Sequence, residues 1–128
     1  MNQEKISEMI VKLELIPSKI AKHSIEILDL NEKLQESITE INQLESAIKS
    51  GVNSAEDGNG KKLYTNAESR EAAFLQIAFD DEDLKKPKEV QAELQRKISL
   101  ERIQVEALSN EQRNSRTIVQ YFSSLQEV

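Results

Sequence analysis

Seven residues spaced seven apart, Ile6, Leu13, Ile20, Ile27, Leu34, Ile41 and Ile48, are all isoleucine or leucine. A strand would send alternate members of this set to opposite faces. A helix near 3.5 residues per turn keeps them on one seam. The line therefore predicts one amphipathic helix over about residues 3–50, and we label it line d of a heptad. Line a (Ile10, Pro17, Ser24, Asn31, Ile38, Glu45) is mixed. Line g (Met9, Ile16, His23, Leu30, Ser37, Leu44) adds apolar bulk. The stripe is wider than a two-stranded seam and suits packing against more than one other helix.

Local signals divide the chain further. Pro17 removes a backbone donor and crowds the preceding turn, which predicts a kink or a first helix ending near Leu15 or Ile16. Gly51 follows Lys49 and Ser50 and reads as a left-handed cap ending the helix near residue 50. Residues 51–65 hold Asp57-Gly58 and Asn59-Gly60 and read as the one long loop. Thr65 and Glu68 have capping-box spacing, so a short helix is expected over about 66–79. Residues 80–86 read as a break. Lys86 precedes a proline, and Pro87 suits the first position of a last helix over about 87–125. Its heptad lines are Gln91, Ile98, Val105, Gln112, Val119 and Leu94, Glu101, Leu108, Ser115, Phe122. Val90, Ile103, Ile118, Tyr121 and Leu125 widen them.

These elements predict an all-α chain forming a single domain over residues 1–128. Two long helices joined by one loop would run antiparallel as a coiled-coil-like hairpin, with one short additional helix. Two helices leave stripes of this width partly bare. The expected completion is a homo-oligomer, with a dimer favoured.

Composition narrows the chemistry. The 128 residues include no cysteine, so disulfides and thiolate metal sites are excluded. The amino-terminal stretch has no apolar core of a secretory signal, and no apolar run reaches membrane-span length, so a soluble, cytoplasmic protein is expected. Net charge is −6. Residues 1–64 carry 8 basic and 11 acidic side chains and residues 65–128 carry 9 and 12, so each half is −3. No basic block stands out, which disfavours direct nucleic-acid binding.

His23 is the one histidine. A two-histidine metal motif and the Glu-x-x-His pairs of di-iron bundles are both ruled out within one chain. No glycine-flanked serine accompanies His23, which reads as a half-buried residue at the seam's edge. Placing Gly58 at the invariant EF-hand glycine puts Ala55 and Tyr64 at ligand positions, and neither supplies the needed oxygen. Gly58-Asn59-Gly60-Lys61 matches neither a Walker loop nor a dinucleotide fingerprint. We therefore expect no enzyme, and no catalytic, cofactor-binding or metal-ligating residue. Ser24, Asn31 and Glu45 read as a register device or as exposed positions. Asp80 to Asp83 read as solvated or as favouring the positive end of the following helix. Phe74, Leu75, Ile77 and Phe79 form the candidate interaction patch if exposed. The usual burial of Phe and Ile argues for core or dimer packing.

The run Gly60-Lys61-Lys62-Leu63-Tyr64-Thr65-Asn66, then Arg70, an apolar helix, an acidic break and a long Leu/Ile/Glu helix resembles a group of small coiled-coil and helical-hairpin proteins of bacterial, cyanobacterial and phage genomes. The resemblance covers roughly residues 57–125. It implies a helical fold and brings no activity with it. The leading expectation is a non-enzymatic interaction protein that self-associates through its heptad stripes and presents its tips or outer faces to a protein partner. The resemblance alone motivates an alternative, a nucleic-acid-associated accessory factor of a phage or mobile element. A third reading is a chaperone-like clamp that holds apolar clients at the helix tips.

Overall fold

The computed structural model describes residues 2–126. It is all-helical, with α1 (Gln3–Ser54), α2 (Ala67–Asp80) and α3 (Glu82–Gln126). Among the described residues there is no strand, and Glu56 and Lys62 form one isolated antiparallel bridge. The chain forms two compact units. One comprises residues 1–31 and 96–128, the other residues 32–95.

The covered stripe of α1 follows the heptad with one change of emphasis. Every member of line d is buried or half-buried, with Ile6 and Ile41 most covered. Its companion is line g, whose six members from Met9 to Leu44 are likewise buried or half-buried. Positions d and g alternate at spacings of three and four, which is the step pattern of one continuous helix face. Line a begins with Ile10, Pro17 and Ser24, all exposed, while Asn31, Ile38 and Glu45 are half-buried. On α3 both anticipated lines are buried or half-buried throughout, with Leu94 and Ile98 deepest.

The fold decides between two readings at Pro17 and corrects three further local expectations. First, α1 runs through Pro17, which removes the alternative of a helix ending near Leu15 or Ile16. The ring faces solvent, where water can take the carbonyl that loses its donor. Second, α1 does not end at residue 50 but continues through Gly51 to Ser54. Gly51 has no left-handed backbone, and the glycine with positive φ is Gly60 at 78°. A glycine inside a helix costs about 1 kcal/mol against alanine. The extra turn buries Val52 to 4% exposure, which more than offsets that cost.

Third, the capping box of α2 is built one residue later than expected. Asn66, not Thr65, is the cap. Its Oδ1 accepts from the Ser69 backbone N–H at 2.7 Å, and the Ser69 hydroxyl oxygen accepts from the Asn66 N–H at 3.3 Å. Asparagine caps at least as well as threonine, so the competition is close and position decides it. Fourth, the break expected over residues 80–86 is a single residue, Asp81, and Pro87 lies inside α3 rather than at its start. Asp81 Oδ1 accepts from the N–H groups of Asp83 and Leu84 at 2.8 and 3.2 Å, which caps the helix early. Leu84 on that first turn is 1% exposed, so the extra turn anchors apolar surface. Pro87 is itself buried, and its carbonyl accepts from the Ser37 hydroxyl at 3.0 Å.

In the unit of residues 32–95, Ile41, Phe74, Ala78 and Leu84 form one core cluster, with Leu44 and Ile48 packed against it. Lys49 lies over the Phe74 ring, its Nζ 4.8 Å from the centroid. The loop between α1 and α2 is a tight turn. Asp57 Oδ1 accepts from the N–H groups of Asn59 and Lys61, and the Leu63 N–H donates to the Ala55 carbonyl. The unit of residues 1–31 and 96–128 buries Ile6, Ile16, Leu30 and Ile98.

Candidate interaction surfaces

Among the described residues, several places combine accessible polar and apolar groups. The first is a groove of about 730 Å³ within the unit of residues 32–95. Its apolar lining includes Leu44, Pro87, Val90 and Leu94, and its edges carry Lys33, Glu36, Glu40, Glu82, Asp83 and Lys86. α1 and α3 both contribute. Successive turns of each helix set one buried and one exposed position on the same side, which gives an apolar floor with a charged rim. Glu82 is already engaged. Its carboxylate accepts from Lys85 Nζ at 2.8 Å, and this hydrogen bond holds the Lys85 ammonium above its ordinary pKa. Glu36, Glu40 and Asp83 are the exposed acidic members left on the rim.

The rim reflects a wider imbalance. Residues 32–95 hold 8 basic and 14 acidic side chains, a net −6. Residues 1–31 with 96–128 hold 9 of each, a net zero. Dividing the sequence at its midpoint hides this, because each half then contains part of both units. All the net charge of the chain belongs to the unit that carries the groove.

The second place is the exposed side of α2. The expected patch divides across two faces. Phe74 is buried at 7%, together with Ala78 four residues on. Leu75, Ile77 and Phe79 are exposed, Phe79 at 79%. Neighbours in a helix are turned about 100° from one another, so a run of apolar residues cannot all enter one core. The third place is a small recess at Asn53, Lys62, Tyr64, Thr65 and Arg70. Here Lys62 Nζ donates to the Asn53 carbonyl at 2.8 Å, tying the loop to the end of α1.

His23 sits half-buried in the covered stripe of α1, as its place on line g implies. Its Nδ1 lies 2.5 Å from Glu101 Oε2. Sequence reasoning did not pair them, although each is the one ionisable residue on its heptad line. Two such breaks meeting across a seam satisfy one another. Removing one leaves the other part-buried and unpaired. A double-mutant cycle with His23→Leu and Glu101→Leu is expected to give a coupling of about 1 kcal/mol, discounted for partial exposure. Chemical denaturation of the four proteins measures it, and additive single effects would remove the pairing.

Among the described residues no three His, Asp or Glu side chains are grouped to hold a metal ion, and no helix is long and apolar enough to cross a membrane. No family model, curated protein or solved structure matches the chain.

Proposed function

We propose that this chain is a non-enzymatic interaction protein, an antiparallel helical hairpin that associates with further copies of itself. The observation that carries the reading is the amount of apolar helix surface one copy leaves open. The groove of residues 32–95 has an apolar floor, and Ile25, Leu28, Leu100 and Ile103 are each about half exposed or more in the other unit. Open apolar surface of this kind marks association sites. The hairpin is supported by pairings within each unit. Residue 23 faces 101 in one, and 37 faces 87 in the other.

Light scattering coupled to size exclusion tests the reading. The expected mass is twice that of one chain of 14.6 kDa. A mass near that of one chain at every concentration would overturn it.

A further inference from the structure

The recess at the start of α2 has a charge balance opposite to that of its unit. Residues 32–95 hold 8 basic and 14 acidic side chains. Asn53, Lys62, Tyr64, Thr65 and Arg70 line a hollow of about 440 Å³, with two cations and no carboxylate. A second hollow of about 200 Å³ adjoins it through Asn53 and Arg70 and adds Lys49, Glu71 and Phe74. Together they gather three of the 8 basic side chains and one of the 14 acidic ones, a local excess of positive charge.

These cations are held in place without being neutralised. The positions that could pair with Arg70 along α2 stand three and four residues away, and they are Asn66, Ala67, Ala73 and Phe74. Arg70 is half-buried, and among the described residues its guanidinium has no hydrogen bond or ion pair. Its donors form a planar fork that fits two oxygens of one anion. Lys62 Nζ donates one hydrogen bond to the Asn53 carbonyl, and an ammonium keeps two further donors. That bond and the bridge between Glu56 and Lys62 fix the loop against the end of α1, so the recess is formed before any ligand arrives. Tyr64 and Thr65 line the same hollow and add two hydroxyl donors.

We propose that this recess binds the phosphate group of a small ligand, either the free ion or a phosphate monoester. A carboxylate offers two acceptor oxygens in one plane. A phosphate monoester offers three around a tetrahedron and carries up to two charges, which suits a fork, an ammonium and two hydroxyls supplied by different segments. The hollow is large enough for an organic part beside the phosphate. A nucleic-acid strand is a poorer fit, because its further phosphates would meet the net charge of −6 on the surrounding unit. The proposal is independent of self-association.

The test titrates inorganic phosphate, glycerol phosphate and acetate into the full-length, isotope-labelled chain at constant ionic strength, read by backbone amide NMR. Both phosphates should saturate and shift the amides of residues 62–70 most. Acetate should bind at least about tenfold more weakly. Tighter binding of glycerol phosphate assigns the site to a monoester, and equal binding assigns it to the free ion. Arg70→Gln should weaken phosphate binding at least about tenfold. Tyr64→Phe should weaken it by a smaller factor, and Glu71→Gln, which removes the one carboxylate, should tighten it. Lys88→Gln makes the same charge change as Arg70→Gln at an exposed position of α3 that lines neither hollow, and should leave binding unchanged. Circular dichroism checks that each variant keeps its helix content. Binding that does not saturate, acetate equal to phosphate, or equal losses from Arg70→Gln and Lys88→Gln would overturn the proposal.

Discussion

Replacing Leu84 with alanine is expected to destabilise the protein by about 2–5 kcal/mol, the largest effect of any single leucine in the chain. Leu84 is 1% exposed and belongs to the cluster with Ile41, Phe74 and Ala78. It also sits on the first turn of α3, where Asp81 caps its N–H at 3.2 Å. Truncation therefore removes buried methyl groups and the anchor that holds the start of α3 against α1 and α2. The surrounding side chains come from three helices, so no single local shift closes the cavity. Urea denaturation followed by circular dichroism measures the loss. Phe79→Ala serves as the control, since that ring is 79% exposed and its removal should change stability by less than about 0.5 kcal/mol. Equal effects at the two positions would show that the described core does not carry the stability.

Phe74→Ala is the second large effect, at about 3–5 kcal/mol. Phe74 is the aromatic member of that core and is buried at 7%. It also receives the Lys49 ammonium over its ring at 4.8 Å. The contact ties α2 to the last turns of α1 and adds a cation–π term of about 0.5–1 kcal/mol at a position of this kind. α2 spans fourteen residues, close to the shortest helix stable alone in water, so its order depends on this packing. The variant should lose helix signal equivalent to α2 and become open to proteolysis on either side of residues 67–80. Retention of wild-type protease resistance would mean that Ala78 and the Asn66 cap suffice to hold the helix.

The two experiments address different links. Leu84 reports on the packing where α3 begins, and Phe74 on the docking of α2.

The heptad lines were legible in the sequence because a 3.5-residue period is written in side-chain chemistry and needs no knowledge of what lies opposite. Both lines of α3 and lines d and g of α1 are the covered faces. The all-helical class and the half-buried setting of His23 follow from the same local rules. What the sequence did not disclose were the outcomes of competitions between local and tertiary terms. Gly51 and Pro87 are strong punctuation in isolation, yet both lie within helices. Burial of Val52 on one following turn and of Leu84 and Pro87 in the other outweighs a penalty of order 1–3 kcal/mol each. The run from Phe74 to Phe79 shows the same limit. Helical spacing separates Phe74 and Ala78 from Leu75 and Phe79, but only packing selects which pair turns inward. The Glu101 partner of His23, and the gathering of the whole net charge into residues 32–95, depend on which distant segments share a unit. That is a property of chain folding in space, and a linear charge count has no access to it.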